Sequence, residues 1–303
     1  TAQYQNVIGE RAWKGDGPFG PSPARLAGLA HHFLPMPGAA VLGAPSSLLN
    51  HSGPNQSGMA MNVMVLSILQ QMRPRLPAQA TLCCLGYPDV LVSESQAQQI
   101  LGPERAARLR YRADSAQILA WHRLESQLDR VIDADSLFEA MDIKFTAVDL
   151  VASRGTERVV DLNHPVAPDL NAAFDVVLDA GTMEHCFNVG QAISNIVAMA
   201  KVEGYIIHLN PMMMINHGFF NFSPTYYNDF YGQNGHALKS AIHGIVVKGI
   251  DVQAYPLDPV KRHPADASNA MVMCVVQKKH DRAPIWPMQA KYLNNPTLKT
   301  GAA

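Results

Sequence analysis

Short apolar runs alternate with helical patterns between Ala80 and about Lys278. The apolar runs cover residues 81–85, 145–148, 158–160, 176–178, 205–209, 245–247 and 271–276. Helical spacing of apolar side chains appears in residues 115–132, 135–141 and 190–200. Repeated strand–helix units fold into a mostly parallel sheet with right-handed crossovers. The last two runs are separated by the proline-rich residues 256–264 without a helix, which predicts an antiparallel pair at the sheet edge.

Residues 174–188, FDVVLDAGTMEHCFN, indicate a site at the end of one strand. The apolar run ends in Asp179, and a turn at Gly181 and Thr182 leads to Glu184 and His185. Ligands of open α/β sheets bind just beyond the carboxyl ends of buried apolar strands. We therefore interpret this segment as the floor of a binding site, with an ordinary α/β loop as the alternative.

Other apolar runs also end close to an acid. Asp89 lies three residues after Gly86, and Asp149 and Asp161 follow the next two runs. A carboxylate at the end of the second strand can accept hydrogen bonds from both hydroxyls of a ribose. Asp161 followed by Leu162 suits an adenine, which presents an amine and a flat apolar ring. Each acid alone is more typical of a helix cap or a turn, but together they predict a nucleoside site.

Composition limits the class of protein. Of 303 residues, 48% are hydrophobic and 16% charged, as in ordinary globular enzymes, and the net charge of −1 offers no electrostatic footprint for nucleic acid. No apolar run reaches the length of about 18 residues that a membrane span requires, and no signal-peptide pattern opens the sequence. Four cysteines without C-x-x-C spacing suit a reducing compartment. We expect a cytoplasmic protein without nucleic-acid or membrane partners.

Three regions follow from the distribution of glycine, proline and apolar residues. Residues 1–78 form an arm rich in Gly, Pro and Ser that ends in a helix over residues 58–73, which we interpret as a lid or a homodimer contact. Residues 79–281 form the main domain. Residues 282–303 form a loop-like tail with a short helix at residues 289–293.

Three segments carry a resemblance to a known family. They are D-L-N-x-P at residues 161–165, F-D-x-V-x-D-x-G-T-x-E-H-x-F-N at residues 174–188, and N-H-G-F-x-x-F-S-P at residues 216–224. With them, residues 80–280 resemble class I S-adenosylmethionine-dependent methyltransferases, most closely a bacterial group that carries the same segments. The resemblance implies a Rossmann-like sheet of seven strands whose last strand is antiparallel.

Two features depart from the family pattern. The glycine-rich loop G-x-G-x-G is absent, and Gly86-Tyr87-Pro88-Asp89 stands in its place. Gly86 and Asp149 are 63 positions apart, which is far more than the family usually needs. This spacing predicts a helical insertion at about residues 94–133.

The resemblance implies S-adenosylmethionine as the cofactor and assigns residues to it. The predicted cofactor contacts are Gly86, Tyr87, Asp89, Asp149, Leu150, Asp161, Leu162, Asp179, Gly181 and Thr182. Asp89 and Asp179 are the candidates for binding the ammonium group. A nicotinamide oxidoreductase is less favoured, because phosphates need the close backbone approach of a glycine-rich turn that this sequence lacks.

Methyl transfer is an in-line displacement that requires alignment of the reacting atoms and exclusion of water. A hydroxyl or ammonium acceptor also requires a base, for which His185, His217 and Glu184 are the candidates. An aromatic wall for the acceptor is predicted from Phe219, Phe222, Tyr226 and Tyr227, with plain core packing as the alternative. We predict methyl transfer to an O, N or S atom of a small polar metabolite, with amino acids, including a thioether amino acid, among the options. A non-catalytic nucleoside-binding protein is the alternative.

The remaining histidines are assigned structural roles. His208 lies within an apolar run, where a hydrogen-bonded core histidine is expected, and His164 follows the adenine-side segment. A metal site built from His185, His208 and His217 is not expected, because their separations match no usual ligand spacing. We therefore predict no metal site.

Overall fold

The structure, a computed structural model, describes residues 60–261, 270–293 and 295. Residues 1–59 of the predicted N-terminal arm lie outside the described residues, as does the end of the predicted tail. The helix predicted over residues 58–73 is observed at Val63–Met72, after a strand at Ala60–Met61. No helix in the described parts of the chain is long and apolar enough to cross a membrane. The expected cytoplasmic location, the homodimer and the lack of nucleic-acid partners stay predictions.

Among the described residues, nine strands, rather than the seven that the resemblance implies, form one central sheet, and two form a separate pair. In chain order the strands are β1 (Ala60–Met61), β2 (Ala80–Leu85), β3 (Asp89–Val90), β4 (Ile143–Asp149), β5 (Arg158–Val159), β6 (Phe174–Asp179), β7 (Ala200–Pro211), β8 (Ala237–Leu238), β9 (His243–Lys248), β10 (Asp251–Pro256) and β11 (Ala270–Gln277). Across the central sheet the order is β10-β9-β11-β7-β6-β2-β4-β5, and β8 also pairs with β11. The short β1 and β3 pair with each other in parallel.

Five neighbouring strands run parallel, which confirms the Rossmann-like α/β fold. Strand β2 pairs in parallel with β4 on one side and β6 on the other, and β5 and β7 extend the two sides. Strand β11 is antiparallel to both β7 and β9, so the antiparallel last strand is also confirmed. The pair β9–β11 does not form the edge, however, because β10 folds back on β9 as a hairpin. Strand β10 was not predicted, because Val252 is the one buried residue of its six.

The apolar runs form the centre of the sheet because both of its faces are covered. Every residue of β11 is buried, as are five of the six residues of β2 and of β6. The four cysteines are free and buried. Burial raises the pKa of the Cys83 and Cys186 thiols to about 12, so these side chains remain protonated and pack as small apolar groups.

Eight α-helices are present in the described residues. They are α1 (Val63–Met72), α2 (Glu94–Leu101), α3 (Pro103–Ala106), α4 (Ser115–His122), α5 (Ala134–Ala140), α6 (Val189–Met199), α7 (Pro224–Gln233) and α8 (Ala290–Leu293). The predicted helix over residues 115–132 is wrong beyond His122, because Arg123 adopts a left-handed conformation with φ of 57° that ends α4. Helix α7 was not predicted, although Ser223 caps it and Pro224 begins it in the usual way.

Residues 94–133 contain α2, α3 and α4, and their apolar side chains form a cluster together with Leu91. The cluster consists of Leu91, Ile118, Leu119, Leu124, Leu128 and Val131. Two polar contacts attach this region to the loop after β2. His122 Nε2 lies 3.0 Å from an Asp89 carboxylate oxygen, and the Tyr87 hydroxyl donates to Asp133 at 3.2 Å. The enlarged connection between β2 and β4 therefore folds back on the loop that it leaves.

The strand order has a switch point between β2 and β6. After β2, the chain adds β4 and β5 on one side and then returns to add β6 and β7 on the other. The chain therefore leaves the adjacent carboxyl ends of β2 and β6 toward opposite sides of the sheet. In sheets of this kind, ligands bind at such a switch point.

Candidate functional site

The loops after β2 and β6 are joined at the switch point. The Thr182 hydroxyl donates to the main-chain carbonyl of Leu85, the last residue of β2. Gly86 and Gly181 have positive φ angles of 83° and 103°, which suit glycine far better than residues with a side chain. The two predicted cofactor loops thus lie side by side in fixed conformations.

The Asp179 carboxylate organises the turn after β6 and is fully buried. One of its oxygens accepts from the main-chain N–H groups of Thr182 and Met183, each at 3.1 Å. The other accepts from His208 Nδ1 and Asn210 Nδ2, each at 2.9 Å. Four donors satisfy this carboxylate, as a buried ionisable group requires.

His208 is the buried, hydrogen-bonded histidine that the sequence predicts. Its Nε2 atom lies 2.6 Å from the Tyr231 hydroxyl. Burial raises the pKa of Tyr231 well above its ordinary value, so the phenol keeps its proton and donates. The network therefore assigns the histidine proton to Nδ1, which donates to Asp179, and leaves Nε2 as an acceptor.

Asn210 connects Asp179 to Glu184. Its Nδ2 atom donates to Asp179 at 2.9 Å and to Glu184 Oε2 at 3.0 Å. Its Oδ1 atom accepts from the Tyr227 hydroxyl at 2.6 Å. Burial raises the pKa of Tyr227 well above its ordinary value, so this hydroxyl is a donor and the orientation of the amide is fixed.

Glu184, His185 and His217, the three predicted catalytic residues, lie together, and their potential ligand atoms are all within 4.8 Å of one another. Glu184 is fully buried, the His217 side chain is 12% exposed, and His185 is exposed. The imidazole rings of His185 and His217 are 5.3 Å apart between centroids. The cluster is therefore open to solvent on the side of His185 and closed on the side of Glu184.

The loop that carries His217 rests directly on the turn that carries Glu184. The Glu184 carbonyl accepts from the Phe219 N–H at 2.9 Å, and the intervening residue is Gly218. A Cβ atom at Gly218 would lie 2.8 Å from the Glu184 carbonyl oxygen and 2.9 Å from its Cγ atom. Glycine is needed here because there is no room for a side chain.

The predicted nucleoside side of the site is built from the loops after β4 and β5. Asp149 is partly buried at the end of β4, and Leu150 beside it is exposed. The main-chain and side-chain amides of Asn163 hydrogen-bond to Asp161 and hold the pKa of that carboxyl below its ordinary value. Leu162 is buried in the core.

The Asp161 loop is tied to the segment that contains Glu184. Asn163 Oδ1 accepts from the Asn188 N–H at 2.8 Å, and the Asn188 side chain donates to the Asn163 carbonyl at 3.1 Å. Asn195 in α6 donates to the carbonyls of Leu162 and His164. These contacts give a structural reason for the asparagines in the first two motif segments.

Both carboxylates predicted to bind an ammonium group already have partners. Asp89 contacts His122 Nε2 at 3.0 Å and Arg154 at 3.2 Å, and its side chain is 15% exposed. Asp179 has the four donors described above. The Tyr87 ring lies below the guanidinium of Arg154, at 5.3 Å from its centroid. The loop after β2 is therefore held by His122 of the inserted region and by Arg154 of the loop after β4.

The four residues of the predicted aromatic wall separate into two groups. Phe222 and Tyr227 are buried in the core, which is the alternative that the sequence left open. Tyr226 is partly buried, and Phe219 is 64% exposed. Phe219 packs edge to face against the exposed Phe187, with ring centroids 5.4 Å apart.

Two residues of the site were not assigned a role by the sequence analysis. Asn210 holds Glu184, and Tyr231 completes the hydrogen bonds of His208. The signal that could have identified Asn210 is its position in β7. It stands two residues after His208, near the carboxyl end of an otherwise apolar strand. No comparable pattern marks Tyr231.

No family model matches the chain, and no curated protein matches it. Among solved structures, the CMeT domain of the citrinin polyketide synthase is similar at 11% identity over 72% of this chain and 52% of that one, with a TM-score of 0.38. The CurJ carbon methyltransferase is similar at 10% identity over 73% and 54% of the two chains, with a TM-score of 0.41. The chain thus spans about half the length of these two structures.

A methyltransferase from Burkholderia thailandensis, solved with 1,6-didemethyltoxoflavin and S-adenosylhomocysteine, is similar at 15% identity over 72% of this chain and 78% of that one. Its TM-score is 0.35. Likenesses as distant as these carry no argument about the ligands or substrate of this chain.

Replacing Asp179 by Asn should destabilise the protein by about 3–5 kcal/mol, because an amide cannot accept from all four buried donors. Asp175→Asn at the opposite end of β6 is the matched control. Asp175 accepts from Thr81 and from Lys201, which is 40% exposed, so its replacement should cost about 1 kcal/mol. Urea unfolding measures both. Equal losses for the two variants would contradict the central role of Asp179.

Gly218→Ala should destabilise the protein by about 1–3 kcal/mol, because the added methyl group overlaps the Glu184 backbone. Gly232→Ala in α7 is the control, since no atom lies within 4 Å of its added Cβ. This second change should be neutral or stabilise the helix by up to about 1 kcal/mol. Thermal unfolding of both variants tests the close approach of Gly218 to the Glu184 backbone. A Gly218→Ala protein as stable as the wild type would disprove it.

Proposed function

We propose that this protein is an S-adenosylmethionine-dependent methyltransferase that acts on an O, N or S atom of a small polar metabolite. The observation that carries the proposal is the cluster of Glu184, His185 and His217 at the switch point of the sheet. The cluster follows the turn at Gly181, which is hydrogen-bonded to the end of β2. A ligand bound at the switch point would reach this cluster from the side of the Gly86 loop.

The nucleoside end of the cofactor is assigned to the loops after β4 and β5. Asp149 is placed to accept hydrogen bonds from the ribose hydroxyls, and Asp161 to accept from the adenine amine. The exposed Leu150 offers an apolar surface beside them. The low pKa of Asp161 keeps its carboxylate ionised and acceptor-only at neutral pH. S-adenosylmethionine has no phosphate, which agrees with the absence of a glycine-rich loop.

The acceptor end is assigned to the exposed side of the three-residue cluster. Methyl transfer requires the acceptor atom, the methyl carbon and the sulfur to lie in line, with little water around them. His185 is exposed and can contact a small molecule directly, and His217 lies between it and the buried Glu184. An imidazole in this position can take the proton that a hydroxyl or ammonium acceptor releases.

A binding protein without turnover is the second candidate. The observation that favours it is the ion pair of Asp89 with Arg154, together with its contact to His122. These partners occupy one of the carboxylates predicted for the ammonium group. A protein of this kind would bind the cofactor or its nucleoside part without consuming it.

Calorimetric titration with S-adenosylmethionine and S-adenosylhomocysteine, with NAD as the control, tests the proposal. We expect both sulfur compounds to bind and NAD not to bind. Amino acids and phenols are then screened as acceptors, with formation of S-adenosylhomocysteine as the readout. With an active acceptor, His185→Ala and His217→Ala should each lower kcat by about 10²-fold or more while cofactor binding is retained.

Three outcomes separate the candidates. Binding of NAD alone would refute the methyltransferase. Tight binding of both sulfur compounds without turnover of any acceptor would favour the non-catalytic protein. Full turnover by both histidine variants would show that the cluster has no part in the reaction.

A further inference from the structure

We propose that Glu184, His185 and His217 form a binding site for one divalent transition-metal cation. Their potential ligand atoms lie within 4.8 Å of one another, on two loops that meet through the contact of Gly218 with Glu184. Two imidazoles and one carboxylate are a ligand set that binds Zn²⁺ and related cations and leaves coordination positions open. This site differs from the His185, His208 and His217 combination considered from the sequence, because both ring nitrogens of His208 are already engaged.

The buried carboxylate supplies the first argument. Glu184 Oε1 is one of four buried side-chain atoms without a hydrogen-bond partner among the described residues. The other carboxylate oxygen, Oε2, accepts from Asn210. Oε1 instead lies on the side of the histidines, 3.4 Å from His217 Nε2. An unpaired acceptor in the interior costs free energy. A cation bound at Oε1 removes that cost.

The distance between Glu184 and His217 supplies the second argument. Glu184 Oε1 and His217 Nε2 are 3.4 Å apart and form no hydrogen bond. Metal bonds of about 2.0–2.1 Å in a tetrahedral site place neighbouring ligand atoms about 3.3–3.4 Å apart. The observed separation matches that value. His185 is exposed, and a rotation of its side chain would close the remaining distance.

The surroundings of Glu184 supply the third argument. Metal-binding carboxylates are themselves held by hydrogen bonds from neighbouring groups. Asn210 holds Glu184 Oε2, and Asn210 is in turn fixed by Asp179 and the Tyr227 hydroxyl. The main chain of Glu184 is held by the Phe219 N–H. The carboxylate is thus oriented before any ligand arrives.

The ligand types indicate the class of cation. Imidazole nitrogens suit Zn²⁺ and other first-row transition metals, whereas Mg²⁺ and Ca²⁺ prefer oxygen ligands. Three protein ligands leave at least one position for a water molecule or a substrate atom. The position left open faces solvent, since Glu184 closes the buried side of the cluster.

The consequence for catalysis rests on the proposed function. The cation would bind a hydroxyl oxygen of the acceptor and lower its pKa, so that the O–H bond breaks and the proton passes to water. The acceptor oxygen then forms a bond to the methyl carbon of S-adenosylmethionine. The bond from carbon to sulfur breaks with its electron pair on sulfur, which yields S-adenosylhomocysteine. The two histidines would serve as ligands in this form of the site rather than as bases.

Zinc titration of the full chain after removal of metal by a chelator tests the inference. We expect one equivalent of Zn²⁺ to bind, and Mg²⁺ not to replace it. His185→Ala and Glu184→Gln should each lower the affinity for Zn²⁺ by at least about 100-fold, because each removes a ligand. His164→Ala, which replaces an exposed histidine on the loop after β5, is the matched control and should bind zinc as the wild type does.

The visible absorption of the Co²⁺-loaded protein gives a second readout. Its bands should change in His185→Ala and stay unchanged in His164→Ala, and circular dichroism verifies that each variant is folded. The inference is wrong if the protein binds no equivalent of Zn²⁺, or if all three variants bind zinc with equal affinity. Titration of the same samples with S-adenosylhomocysteine separates the two proposals. Zinc binding without binding of S-adenosylhomocysteine would refute the methyltransferase alone. Binding of S-adenosylhomocysteine without zinc binding would refute the metal site alone.

Discussion

The buried carboxylate of Asp179 is the constraint on which the site depends. It lies at the carboxyl end of β6 without exposure to water, and four donors from the β6 turn and β7 satisfy it. A buried carboxylate that lost these donors would be strongly unfavourable. The turn after β6 and the polar end of β7 must therefore adopt the observed arrangement together.

The same arrangement extends from Asp179 to the surface through Asn210 and Glu184. Asn210 donates to both carboxylates, so the position of Glu184 follows from the position of Asp179. Glu184 in turn supports the loop of His217, which approaches closely because Gly218 has no side chain. The exposed His185 completes the cluster. The hydrogen bonds that begin at Asp179 thus end at Glu184 Oε1, which has no hydrogen-bond partner among the described residues and lies 3.4 Å from His217 Nε2.

The sequence predicts the sheet well because buried parallel strands are continuous apolar runs, as β2 and β6 show. It predicts neither β10, whose residues are mostly part-exposed, nor the end of α4, which depends on the backbone of Arg123. Within the site, the sequence predicts Glu184, His185 and His217 as acid–base candidates, and the structure brings the three together. The contact of Asp89 with His122 could not be predicted, because it depends on the fold of the inserted residues 94–133. The sequence could not decide between an aromatic wall and core packing for Tyr227, because that choice depends on the unpredicted helix α7.

A crystal structure of the protein with S-adenosylhomocysteine tests the central claim most directly. The account predicts that the ligand lies between the Gly86 and Gly181 loops, with its ribose at Asp149 and its adenine at Asp161. The sulfur should face the cluster of Glu184, His185 and His217. A ligand bound elsewhere, or one whose sulfur points away from Glu184, would contradict the assignment of this cluster to the acceptor.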